Sequence, residues 1–230
     1  MRRFHHSRQR SAFGKHLIDH ALMTNVLADL ALETEAATLL AFRLARAFDA
    51  SPKDPHERNL QRILTPIAKY WLCKRMTPVA VEAMECLGGN GYVEEAPLAR
   101  LYREAPLNGI WEGSANVICL DVLRAIARSP ESFAALAGEI ASVDDERIAR
   151  CLASAKAGLA DSGAAEGQSR VVVERLAVCV QASLMKRFSD ARAAEAFCDS
   201  RLGGGGLRAL GTLPPGVDTA AIVERAALRA

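Results

Sequence analysis

The sequence predicts an all-α protein, an antiparallel helical bundle followed by a smaller helical extension. Half of its 230 residues are hydrophobic but only 5% are aromatic, a balance that argues against an all-β sandwich or barrel. Apolar residues recur at spacings of three, four or seven over long stretches, the helical period. Proline or glycine clusters divide those stretches where helices would end.

Taken in order, Lys15 to Asp49 reads as one long amphipathic helix, with Leu22, Val26, Leu30, Ala37, Ala41, Leu44 and Phe48 on its apolar side. The break Ser51 to His56 carries two prolines and ends it. A second helix presents Leu60, Ile63, Leu64, Ile67 and Trp71 on one side and runs toward Leu87, with bends allowed at Pro66 and Pro78. Gly88-Gly89-Asn90-Gly91 stops it. From Ser114 to Arg128 only Asp121, Arg124 and Arg128 form a polar stripe, which predicts an inner helix packed on most sides.

Ser129-Pro130 marks a second boundary, so residues 1–129 read as the bundle and 130–230 as the extension. Three or four helices are expected beyond it, ending near Cys198, with a short strand at Val171-Val172-Val173 as the minor alternative. The glycine run Gly203 to Gly206 reads as a linker, and Thr219 to Ala230 as a closing helix.

Formal net charge is +2, from 29 basic and 27 acidic residues, so a nucleic-acid or membrane partner would need a local patch. Six cysteines without a Cys-x-x-Cys pair read as buried thiols in a reducing compartment. The basic start is interrupted by His16, Asp19 and His20 before any useful apolar run. No secretion signal or membrane span is expected, and a cytoplasmic location follows as the expectation.

The most pointed motif is Trp111-Glu112-Gly113-Ser114. A carboxylate between a bulky aromatic and a glycine, beside a buried helix, suits a proton-abstracting base if desolvation raises its pKa. On spacing alone Glu112 reads first as a surface or capping acid at a helix start, with Trp111 in the core. Ser114 is placed as a helix N-cap, and Asn116 can present an amide to a ligand. Gly88, Gly89 and Gly91 permit close backbone approach or simply stop a helix. Arg2, Arg3, Arg8 and Arg10 form a basic terminus that either grips a phosphate or is merely solvated. His16 and His20, four apart on the expected helix, lack a further ligand set, so no metal is expected.

In their order and spacing, Arg10 to Gly14 (RSAFG), Glu85 to Tyr92 (ECLGGNGY), Leu101 to Pro106 (LYREAP) and Ile110 to Asn116 (IWEGSAN) resemble the C-terminal helical domain of acyl-CoA dehydrogenases. The variants are similar to the alkylation-response (AidB-like) branch, whose C-terminal helical extension residues 130–230 resemble. The resemblance implies an FAD flavoprotein acting on acyl-CoA thioesters, with Glu112 removing the α-proton. It implies flavin contacts from Arg10 and Phe13, generally toward a neighbouring subunit, from Gly88 and Gly89, and from Ser114 and Asn116. Glu85 also falls in the cofactor site, where most members carry glutamine; a carboxylate there repels a pyrophosphate unless paired.

The family's N-terminal helical domain and middle β-domain have no counterpart in this sequence, so catalysis by the chain alone is expected to be incomplete. Self-association, as tetramers, is implied as well. A DNA-binding module is the alternative, as is an inactive structural remnant. Residues 124–230 hold fourteen Lys or Arg against thirteen acids, so DNA would require cations gathered on one face, for example Lys186, Arg187, Arg192 and Arg201.

Overall fold

The computed structural model describes residues 2–160, 165–203, 210, 213 and 216–228. Helix α1 (Arg2–Gln9) leads into a two-stranded hairpin, β1 (Ser11–Ala12) and β2 (Lys15–His16). Two long helices follow, α2 (Ala21–Ala50) and α3 (Pro55–Glu85), then the short α4 (Gly89–Tyr92) and α5 (Pro97–Glu104). Next come α6 (Ala115–Arg128), α7 (Pro130–Ala141), α8 (Glu146–Ala160), α9 (Ala165–Phe188), α10 (Ala191–Leu202) and α11 (Thr219–Leu228). The all-α class and the helical extension are as expected; the glycine run from Gly204 onward lies outside the described residues.

Helix α2 starts six residues later than its apolar pattern suggests. Phe13 and Gly14 both have positive φ, +50° and +84°, which turns the chain into the hairpin, and the Leu17 amide closes it on the Arg10 carbonyl at 2.9 Å. His16 therefore lies in a strand and His20 at the cap of α2, so the helical i, i+4 histidine pair does not form. Nor was α1 foreseen: its Phe4 and Ser7 are buried.

The core face of α3 is the expected one, with Leu60, Ile63, Leu64, Ile67 and Trp71 all buried. Asp54 caps it, accepting from the amides of His56 and Glu57, and Pro55 occupies the first turn where its missing N–H costs nothing. The face of α2 is not the expected one. Of the seven residues on its predicted stripe only Leu30 is buried, whereas Leu27, Ala36, Leu40 and Ala47 are fully so. Buried charges disguised that face. Asp29 and Glu33 pair with Arg201, Glu33 also with Arg75, and Arg43 with Glu57 and Glu139.

The inner helix is α9 rather than α6. Every residue from Leu176 to Met185 is buried, against α2, α3, α6, α7, α8 and α10. Val171 to Val173 lies within it as helix. By contrast, α6 buries a single face of Ala115, Ile118, Cys119, Val122 and Ala125 and leaves Val117 exposed. One apolar core runs from α2 and α3 through α7 to α11 without interruption at Ser129.

Candidate functional site

The predicted residues fall into two groups. The first is the corner at the end of α3. There the Leu87 and Gly88 amides fold back onto the carbonyls of Met84 and Glu85, at 3.0 and 2.9 Å. Gly88 then takes φ +58°, a conformation side chains resist, and starts α4. Gly91 is buried so tightly against this turn that a Cβ there would stand 2.3 Å from the Met84 carbonyl oxygen. Gly91→Ala is therefore expected to destabilise the protein by about 2 kcal/mol. In denaturant titrations Gly138→Ala, at an exposed helical site with open space, is expected to stabilise slightly instead.

This corner faces the N-terminal hairpin across a groove of about 440 Å³. His6, Arg10, Leu17 and Met23 form one wall, and Glu85 to Asn90 the other. Arg10 is thus brought to Glu85, Gly88 and Gly89, which follow it by 75 or more residues. No heavy atom stands within 4 Å of where a Cβ would sit on Gly88 or Gly89, so a ligand can reach their backbone. Glu85 makes no ion pair among the described residues, and next to it burial, Glu85 and Asp29 push the Glu82 carboxyl up. Phe13 is not in the groove lining; it projects from the hairpin tip, 97% exposed, edge-on to His20 with ring centroids 6.3 Å apart.

The second group is the turn before α6. Glu112 and Gly113 both have positive φ, +54° and +104°, and Ile118 leaves a Cβ on Gly113 only 3.1 Å of room. A backbone residue held at positive φ without being glycine is stored strain, of the kind that collects at functional positions. What holds it is Lys69 of α3, whose ammonium donates to the carbonyls of Asn108 and, at 3.0 Å, Trp111. Glu112 is exposed and so is Trp111, which corrects both the buried-carboxylate and the core-tryptophan expectations. The reason is that α6 meets the core on one face only, so its N-terminal turn stands at the surface.

Ser114 is the N-cap of α6 through its backbone; its hydroxyl makes no capping bond. The Asn116 side-chain Oδ1 accepts from Arg170 Nε of α9 at 2.8 Å, which ties the start of α6 to the extension. Sequence reasoning missed Lys69 and Arg170, since each acts on partners about forty or more residues away.

The cations singled out for a DNA-binding face are neutralised. Lys186 pairs with Glu195 and Asp145, Arg187 with Glu139 at 2.7 Å, Arg192 with Asp190 and Asp218, and Arg201 with Asp29 and Glu33. They do not form a free basic patch. All six cysteines are free thiols, four of them buried. Among the described residues no helix is long and apolar enough to cross a membrane.

Residues 2–127 match the family model for the acyl-CoA dehydrogenase C-terminal domain, and the chain belongs to the acyl-CoA dehydrogenase family. It is 53% identical over 122 residues to the acyl-CoA dehydrogenase AidB of Escherichia coli, a match covering 53% of this chain and 22% of that protein. Its fold is similar to that of Caenorhabditis elegans ACDH-11, solved in complex with C11-CoA, with a TM-score of 0.73 and 24% identity over 86% of this chain and 39% of that one. The acyl-CoA dehydrogenase of Bacillus anthracis, solved with FAD, gives a TM-score of 0.65 at 18% identity, covering 99% of this chain and 46% of that one. The matched part of the chain therefore takes in about a fifth of the length of AidB, and the likeness in fold less than half of each of these two structures.

Proposed function

We propose that this chain supplies the base and one wall of the flavin site of an FAD-dependent acyl-CoA dehydrogenase of the AidB-like branch. The observation that carries the reading is the convergence of Arg10, Glu85, Gly88 and Gly89 on one groove. The donor set fits the flavin dinucleotide. Arg10 offers a cation to a diphosphate, and the glycines leave open space for close approach to the main chain. The unpaired Glu85 opposes that charge and weakens the fit, so retention by this chain alone is expected to be modest.

Bound flavin supplies the acceptor for the β-hydride of the acyl thioester. The chain's own part is the proton: the Glu112 carboxylate takes it from the α-carbon, and the strained turn strapped by Lys69 fixes where that carboxylate stands. The Ser114 hydroxyl and the Asn116 amide N–H remain available to orient a ligand. Because Glu112 is exposed, the surfaces that exclude water from it must come from elsewhere in the complete active site. Residues 130–230 act as the AidB-like extension, buttressing the site through Arg170 and the central α9. Self-association is part of the reading: Leu22 and Phe42 are largely exposed on α2, and Ala37, Ala41, Leu72 and Met76 line an apolar groove between α2 and α3.

Mixing the chain with FAD and an acyl-CoA tests the reading. Weak flavin co-elution without efficient turnover is expected; efficient bleaching by the chain alone overturns the division of the active site.

A further inference from the structure

We propose that the pocket enclosed by α8, α9 and α10 binds a small organic phosphate, its anionic head held by Arg150 and Arg175. The pocket measures about 450 Å³ and lies beyond the residues that match the family model. Four arginines line it: Arg147 and Arg150 from α8, Arg175 from α9 and Arg201 from α10.

Their charges are unequally compensated. Arg147 is matched by Asp145, Glu195 and Asp199, at 2.6, 2.7 and 2.5 Å. The head of Arg201 sits on Asp29 and Glu33, yet its buried Nε donor has no acceptor, although the side chain is only 6% exposed. Arg150 and Arg175 have no carboxylate partner among the described residues. Glu174, the carboxylate in the lining, lies in the field of Arg175 and opposes an anion, but the two guanidiniums outnumber it.

Converging cations with a donor left unsatisfied are a site short of an acceptor. Guanidinium forks match phosphate oxygens in pairs, and the Ser154 hydroxyl, which makes no hydrogen bond among the described residues, is placed for a further one. A doubly charged phosphomonoester answers this set better than a singly charged carboxylate. Val171, Val178 and Leu202, with Cys151, complete the lining, so the volume a bare phosphate leaves unused suits an apolar organic body.

Isothermal titration of the full chain with phenyl phosphate, inorganic phosphate and benzoate at low ionic strength tests the proposal. Phenyl phosphate is expected to bind saturably and more tightly than either of the others. The Arg150→Ala, Arg175→Ala double variant is expected to lose at least about tenfold in affinity, one charged contact's worth. Arg192→Ala, an exposed cation outside the pocket, is expected to leave binding unchanged, and Arg150→Ala alone, at an exposed position where folding is not at risk, to weaken it. Absence of saturable binding by the wild type overturns the proposal. So does equal loss in Arg192→Ala, or a double variant that melts like the wild type and binds as tightly.

Discussion

Glu112→Gln is expected to lower acyl-CoA-dependent flavin bleaching by about 10²- to 10⁴-fold in the assembled active site, the range a positioned general base contributes. The substitution keeps the size and hydrogen-bonding capacity of the side chain and removes only its ability to accept the α-proton. Since Glu112 is exposed and makes no ion pair among the described residues, folding is expected to be unchanged. Flavin affinity is expected to be unchanged as well, because the groove residues lie on the separate corner after α3. Stopped-flow bleaching beside a flavin titration separates these effects. Loss of both bleaching and flavin binding would instead make Glu112 a cofactor ligand.

Arg43→Ala is expected to destabilise the fold by about 3–5 kcal/mol, because it leaves the Glu57 carboxylate buried without a cation and Glu139 with Arg187 alone. Arg43 reaches Glu57 with two bonds of 2.8 and 3.0 Å and Glu139 with two of 2.9 and 3.0 Å, and all three side chains are less than a tenth exposed. Arg187 adds a 2.7 Å bond to Glu139, so the network joins α2, α3, α7 and α9. Arg62→Ala makes the contrast: its pair with Asp121 is nearly half exposed, and its loss is expected to cost less than about 1 kcal/mol. Burial pushes the Glu139 pKa up, but hydrogen bonds from Arg43 and then Arg187 outweigh it and hold the carboxyl below its ordinary value. A depressed folded pKa gives stability that is present above the unfolded carboxylate range and is lost as pH falls through the depressed value. Denaturant melts between pH 7 and pH 3 are expected to show that acid loss in the wild type, and less of it in Arg43→Ala.

Where apolar periodicity was intact, the sequence was a sufficient guide. The core face of α3 and the glycine stop after it were legible because no charge interrupts Leu60, Ile63, Leu64 and Ile67. The α2 face was misread because Asp29, Glu33 and Arg43 occupy it in tertiary ion pairs that no local pattern announces. The centrality of α9 was hidden in the same way: Gln181 accepts from the Trp71 indole at 2.8 Å and Ser183 donates to the Glu139 carbonyl at 3.2 Å, so tertiary partners bury polar residues within it. At the candidate site, the motifs marked the segments that hold the positive-φ turns, whereas the exposure of Glu112 and the straps from Lys69 and Arg170 depend on contacts distant in sequence. The ion pairs of Lys186, Arg187, Arg192 and Arg201 were hidden for that reason too, since counting cations does not reveal which carboxylates face them.

The central claim is that the corner after α3 and the N-terminal hairpin form one wall of a flavin site. A titration of the isotopically labelled chain with FAD, read by backbone amide NMR, tests it even where affinity is weak. The account predicts saturable shifts at Gly88, Gly89 and Arg10, none at Gly138 on α7, and a weaker midpoint in Arg10→Ala. Saturating FAD that leaves the corner amides unmoved, or moves only residues remote from the groove, would contradict it.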